Sequence, residues 1–320
     1  MELRQKKLSP EQEKSFIKKI EHSLKLIKKD ELIEALNNLK LTEGELEHLA
    51  DDGNTIEVEL LLFLLHNIAY CYQNSGEIEE AASYIEACIY NSEKKFKLSK
   101  NKTKSDAYYS SRIKQCSYLS TLYSYLCVLM SCIENHYIAV FHAKQAVEYA
   151  TQAIRTTIKA VSKGTGHTIS AQKLRKKIYL GEVAKKPVKE KTHTNIPILN
   201  MCLKMMTSKD QPTGLIKLNT IEGLKNELKE TMNIDSAMKI KPITYYKIKT
   251  LANLDFELDN DEAFRKIFNT IISLYLLSVE QSMMDLKEQS ISSRNKAVTI
   301  ARTFLPNDCL LISQIQYLDE

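Results

Sequence analysis

Residues 60–91 read LLLFLLHNIAYCYQNSGEIEEAASYIEACIYN, and their reading decides the fold. The pattern predicts a helix from Thr55 to about Asn74, a break at Ser75-Gly76 and a second helix from Ile78 to about Lys95. Glycine takes the left-handed conformation that closes a helix, so the partner can begin at once. The second helix carries Ala81, Ile85 and Cys88 on one face, with small residues at Ala81 and Cys88 where a neighbour would touch. Two helices joined by so short a turn must pack antiparallel.

Working outward toward the N-terminus, Ser9-Pro10-Glu11-Gln12 has the form of a helix start. Ser is the N-cap, Pro the first helical residue and Gln the third, whose side chain can reach back to the cap. Phe16, Ile20, Leu24 and Ile27 then recur at helical spacing, with a lysine-rich opposite face whose interspersed glutamates mark it as solvated. Asp30 is expected to cap a short helix containing Leu32, Ile33, Leu36 and Leu39. Thr42-Glu43-Gly44-Glu45 is expected to open another, to about Ala50, before a turn at Asp51-Asp52-Gly53-Asn54.

Downstream, residues 94–106 form a polar, basic connection. A helix from about Ala107 to Cys132 carries Tyr118, Leu119, Leu122, Tyr123, Leu126, Leu129 and Met130. After a turn at Glu134-Asn135-His136, a helix from Tyr137 to about Val161 bears Ala139, Ala143, Ala146, Ala150 and Ala153. Alanines at this spacing let helix axes approach closely. Between Ser162 and Pro212 the periodicity weakens. Ala171–Ala184 suits a short basic helix, and Pro187–Pro197 suits extended or disordered chain. Order returns at Glu262 with a helix through Phe264, Phe268, Ile271, Ile272, Tyr275 and Val279 to about Glu288. Ser292–Phe304 follows as a final partner helix stopped at Pro306.

The expected organisation is therefore all-α: N-terminal helices over 1–54, helical hairpins over 55–161, a basic, partly disordered linker over 162–212 and a C-terminal helical region over 213–320. Only 8 Gly and 6 Pro in 320 residues argue against a strand-and-turn architecture, which needs frequent punctuation. No apolar run approaches the roughly 18 residues that span a bilayer, and MELRQKKLSPEQEK has no apolar signal core, so an intracellular, cytoplasmic protein is expected. The 7 scattered cysteines fit free buried thiols in a reducing compartment. The net charge of +5 is unevenly placed. Residues 155–192 hold 11 Lys+Arg against Glu182 and Glu190, a local +9, which leaves −4 for the rest.

The central hairpin resembles a tetratricopeptide repeat, a 34-residue helix-turn-helix unit that stacks into an α-solenoid. In consensus order the matching positions are Leu65, Ile68, Ala69, Tyr72, Gly76, Ala81, Ile85 and Cys88, with Glu93 in place of the closing proline. Tyr123, Leu126, Cys127, Met130, Glu134, Ala139, Ala143 and Ala146 repeat the pattern 58 residues later, and Ala301 and Pro306 give a fainter third match. The segments SSRIKQCSYLSTLYSYLCVLMSCIENHYIAVFHAKQAV and NKAVTIARTFLPNDCLLISQI also resemble a repeat-containing family abundant in ciliated protists. The resemblance covers roughly 60–155 and 262–316. It implies an α-solenoid scaffold, cytoskeletal or ciliary, that binds other proteins of a larger complex.

In such repeats the first helix of each pair lines a concave groove. This implies a partner-binding face of His66, Asn67, Tyr70, Gln73 and Asn74, joined from the second pair by Thr121, Ser124, Tyr125 and Val128. Asn67 matches an asparagine that chaperone-binding repeats use against a terminal carboxylate. Thr121 and Tyr125 stand where its basic partners would be, so a polar-aromatic peptide or helix fits better than a charged terminus. The alternative is a groove filled by the chain's own segments.

No constellation points to catalysis, a cofactor or a metal. Cys127 and Cys132 lie five residues apart on one helix, about 140° around its axis, and cannot share a tetrahedral site. Gly164-Thr165-Gly166 lacks the strand and the Gly-Lys-Ser/Thr of a phosphate loop. Asp255–Asp261 alternates acids like a calcium loop but lacks the sixth-position glycine and has Lys266 at the twelfth; it is expected to be an acidic turn. The basic segment 155–192 suits an acidic surface, a microtubule or nucleic acid, or a solvated linker. Tyr179 alone interleaves its charges, which disfavours base stacking.

Overall fold

The computed structural model describes residues 6–99, 106–162, 199, 202–203, 205–206, 238–245, 248, 260–305 and 309–316. The expected helix over Ala171–Ala184, the extended chain at Pro187–Pro197, the Gly164 loop and the acidic turn at Asp255–Asp259 lie outside these residues. The fold is all-α. Among the described residues the helices are α1 (Pro10–Lys28), α2 (Leu32–Asp51), α3 (Val58–Ser75), α4 (Ile78–Ser99), α5 (Asp106–Cys132), α6 (His136–Ser162), α7 (Asn260–Met283), α8 (Lys287–Phe304) and α9 (Leu310–Gln316). A two-residue parallel bridge, β1 (Lys6–Lys7) to β2 (Asn54–Thr55), ties the chain start to the loop before α3.

The described residues fall into two compact units that interleave along the sequence. The first draws on Met1–Asn101, Val128–Asn135 and Lys239–Ala252; the second draws on Lys102–Cys127, His136–Met238 and Asn253–Glu320. In the first, α1 and α2, and α3 and α4, form hairpins around Phe16, Ile20, Leu39, Leu60, Phe63, Leu64, Ile68 and Ile85, all buried. α3 is buried on every side from Leu62 to Ala69. In the second unit α7 plays that part, buried without a break from Ile271 to Ser278 and packed against α6 and α8. α5 joins α6 through the Ser120 hydroxyl, which donates to the Ala146 carbonyl at 2.9 Å, and through Tyr123, whose ring stacks on Tyr149 at 5.6 Å. Tyr123 also covers His142, which is buried at the same seam. Desolvation lowers that imidazole's pKa to about 4.

The helix start at Ser9 forms as the residues dictate. Its hydroxyl accepts the Gln12 N–H at 3.2 Å and the Gln12 side chain accepts the Ser9 N–H at 2.9 Å. Four helix ends share one solution. Residues Asp30, Gly76, Glu134 and Asp285 are left-handed, and the N–H of each following residue reaches back five positions to the carbonyls of Leu26, Tyr72, Met130 and Gln281. These bonds satisfy the last orphan carbonyls of each helix.

Several local expectations differ from the structure. α4 runs on to Ser99, through part of the expected 94–106 connection. Asp30 closes α1 rather than capping α2, whose N-cap is Glu31 with no side-chain cap bond. Thr42 opens no new helix: it is buried inside α2 and its hydroxyl donates to the Asn38 carbonyl at 2.8 Å, so one helix runs through Gly44. Tertiary packing of Leu39, Thr42 and Leu46 overrides the local capping preference. The break after α7 falls at Asp285, ahead of the expected Glu288, and α9 follows α8.

Candidate functional site

Positions 63, 66, 67, 70, 73 and 74 recur at spacings of three and four, so they share one face of α3. That face is covered. Residues Lys239–Tyr245, of sequence KIKPITY, lie along it without forming a helix, apart from Tyr245 at the end of the run. Pro242 has no N–H and disfavours helical backbone at Lys241, which keeps the segment open for bonds to side chains.

The contacts are polar at the centre and apolar at the ends. Asn67, fully buried, pairs both amide atoms with one residue: its Nδ2 donates to the Ile243 carbonyl at 3.0 Å and its Oδ1 accepts the Ile243 N–H at 3.0 Å. The same Nδ2 donates to the Phe63 carbonyl at 2.7 Å, which fixes the rotamer. Gln73 Oε1 accepts the Ile240 N–H at 2.8 Å, and His66 Nε2 lies 3.0 Å from the Lys241 carbonyl, oriented to donate to it. Beyond these, the Tyr245 ring rests on Phe63 at 5.6 Å and its hydroxyl donates to Glu13 Oε1 at 2.5 Å. Burial, and then that bond to the Glu13 carboxylate, push the Tyr245 phenol well up.

The register follows from helix and strand geometry. Gln73 and Asn67 are six residues apart on α3, a rise of about 9 Å. Ile240 and Ile243 are three residues apart, about 10 Å when extended. The match means that the segment is nearly fully extended and runs antiparallel to α3, with Tyr245 opposite Phe63. Ile240 and Tyr245 are buried and Ile243 half-buried, whereas Lys239, Lys241, Pro242 and Thr244 are exposed.

Of the residues expected to bind a partner, His66, Asn67 and Gln73 therefore meet on the chain's own segment. Tyr70 is half-buried on the same face, its phenol pushed up by burial, and exposed Asn74 donates to the Tyr70 carbonyl of its own helix at 2.8 Å. Tyr125 is buried and belongs to the second unit with Thr121 and Ser124. There Ser124 donates to the Ser120 carbonyl at 3.0 Å and its hydroxyl lies 3.4 Å from that of Ser273 on α7, so a helix covers this face of α5. Val128, half-buried, belongs to the first unit. The alternative of a groove filled by the chain's own segments is what the α3 face shows, but sequence reasoning did not identify the segment, nor Phe63 or Glu13 as its contacts. The one available signal was the alternation of apolar and polar residues around Pro242.

The chemistry of this face is neutral amide-to-backbone pairing, which reads the path of a peptide more than its side chains. The thiols are quiet: burial pushes Cys71, on α3 itself, up to about 12, and Cys116 and Cys202 likewise. Cys127 is buried and Cys132 exposed, on different sides of α5. Among the described residues no cluster of three or more His, Cys, Asp or Glu could hold a metal ion, and no helix is long and apolar enough to cross a membrane. No protein-family model, curated protein or solved structure matches the chain.

Proposed function

We propose that this chain is a non-enzymatic scaffold or adaptor that holds other proteins in a larger intracellular assembly, cytoskeletal or ciliary, through faces of its helical hairpins. The observation that carries this reading is the α3 face. It holds a nearly extended peptide by its backbone, using Asn67, His66 and Gln73, three residues at the groove positions of a tetratricopeptide-like hairpin. A buried asparagine that pairs with both backbone groups of one residue is suited to peptide recognition, because the bonds need no particular side chain. The test is cross-linked capture of partners by the full chain, beside a chain carrying Asn67→Ala with Tyr70→Ala whose helicity is checked by circular dichroism. Loss of specific partners from the variant supports the adaptor reading. An unchanged partner set from a folded variant removes the α3 face from it.

A second reading rests on charge alone. Residues 155–192 carry a net +9, so a nucleic-acid-associated role would show as duplex or single-strand binding that falls steeply with salt and disappears when the segment is deleted.

A further inference from the structure

The segment on α3 has the contacts of a bound ligand more than those of a core element. Its backbone is held through three polar side chains, its buried anchors are Ile240 and Tyr245 with Ile243 between them, and four of its seven residues face outward. It returns to α3 from 176 residues away, and no disulfide fixes it, since Cys71 on the helix it covers is a free thiol. We infer that residues 239–245 are an internal pseudo-ligand, and that the α3 face is a docking site for a partner's extended peptide of the same pattern: an apolar residue, two residues of which the second is proline, a second apolar residue, and a tyrosine two positions on. This rests on the adaptor reading and adds to it the class of partner and the means by which the site is closed.

The chemistry of the occupant follows from the face that it fills. Asn67 and Gln73 require backbone N–H groups three residues apart, with a carbonyl at the Asn67 partner. Proline therefore suits the residue just before that partner, where no N–H is used, as Pro242 does here. The tyrosine position requires an aromatic ring against Phe63 and a hydroxyl that reaches Glu13, which selects tyrosine over phenylalanine. A carboxylate beside the last position would face Glu13 and is selected against. A partner competes with a tethered copy already seated on the face, so the site is closed to weak peptides and opens to a strong or locally concentrated one.

The experiment uses the full chain and a fluorescent synthetic peptide spanning residues 237–249. The tethered copy is disabled by Ile240→Asp with Tyr245→Asp, and binding is followed by fluorescence anisotropy. The peptide should bind the disabled chain at least about 10-fold more tightly than the wild-type chain, because the tethered competitor has been removed. Adding Asn67→Ala should abolish binding, and a peptide with phenylalanine at its tyrosine position should bind more weakly. Amide exchange of residues 240–245 in the wild-type chain should be faster than that of α3 and should converge with it only if the segment is permanent core.

Equal binding to both chains, no binding to a folded disabled chain, or exchange as slow as α3 overturns the inference. So does unfolding of the disabled chain, which would make the segment structural. A stable dimer by light scattering with exchanged segments would name a second copy as the occupant and overturn the partner assignment. If peptide binding fails while partner capture still depends on Asn67, the pseudo-ligand falls and the adaptor stands. If capture is indifferent to Asn67 while the peptide binds, the reverse holds.

Discussion

The two central helices, α3 and α7, solve the same problem in different ways. Each is buried on all sides in its own unit, and each carries polar residues into that burial: His66 and Asn67 on α3, and Thr270, Ser273, Ser278, Glu280 and Gln281 on α7. On α7 the partners come from the helix itself or from neighbouring helices. Thr270 and Ser273 donate to carbonyls one turn back, Gln281 accepts from Ser293 on α8 at 2.8 Å, and Glu280 meets His136 on α6 at 2.9 Å. On α3 Asn67 also donates to a carbonyl one turn back, but its other bonds, and that of His66 to Lys241, go to a non-helical segment far along the chain. A buried polar group without a partner costs about 1–3 kcal/mol, so α7 is satisfied by its own bundle, whereas α3 depends on whatever lies over it. That difference makes α3 the helix with a ligand-like face and α7 the helix with a finished core.

The largest effect expected from breaking this comparison is at Glu280, which is 2% exposed. His136→Ala should cost about 3 kcal/mol, because it leaves a buried carboxylate without its partner. Urea unfolding followed by circular dichroism measures the loss, and amide exchange should place it in the second unit while α3 keeps its protection.

Asn67→Ala comes next. It removes the bonds to Ile243 and Phe63 and should cost about 2 kcal/mol, with exchange accelerating first in residues 240–245. Should exchange instead accelerate uniformly across the first unit, the segment and α3 form a single cooperative element and the contrast with α7 narrows.

Backbone changes sharpen the comparison without touching polar partners. A methyl group added at Gly44 or at Gly76 meets no atom within 4 Å, yet Gly76 is left-handed and Gly44 sits inside α2. Gly44→Ala should stabilise and Gly76→Ala destabilise, each by about 1 kcal/mol, and thermal unfolding of the pair should show opposite signs. The smallest effect is at the non-glycine left-handed turns. Asp30→Gly in the first unit and Asp285→Gly in the second should each gain about 0.5 kcal/mol, because relief of the strained φ exceeds the added chain entropy. Similar gains would show that the units share their turn physics and differ in how polar burial is satisfied.

Much of this was legible in the sequence. Ser9, Pro10 and Gln12 specify the start of α1, and Gly76 the break in the central hairpin, because caps and left-handed turns act over a few residues. The alanine stripe of α6 is equally local in origin, with Ala139, Ala143, Ala146, Ala150 and Ala153 all buried. The turn at Glu134-Asn135-His136 was legible too, but those at Asp30 and Asp285 were harder to place, since neither presents the glycine that favours a left-handed residue. The face of α3 was half legible. Spacing places His66, Asn67 and Gln73 together, but the partner that satisfies them is set by tertiary contact across 176 residues, which no local periodicity encodes.

That separation has a consequence in time. A ribosome adding about 5–20 residues per second needs roughly 10–35 s to travel from Asn67 to Ile243, a span of 176 residues. Late in that interval α1 to α4 can fold, while Asn67 has the Phe63 carbonyl of its own helix but not yet the Ile243 backbone that later pairs with it. The newborn protein thus carries this face of α3 uncovered before the segment that closes it exists.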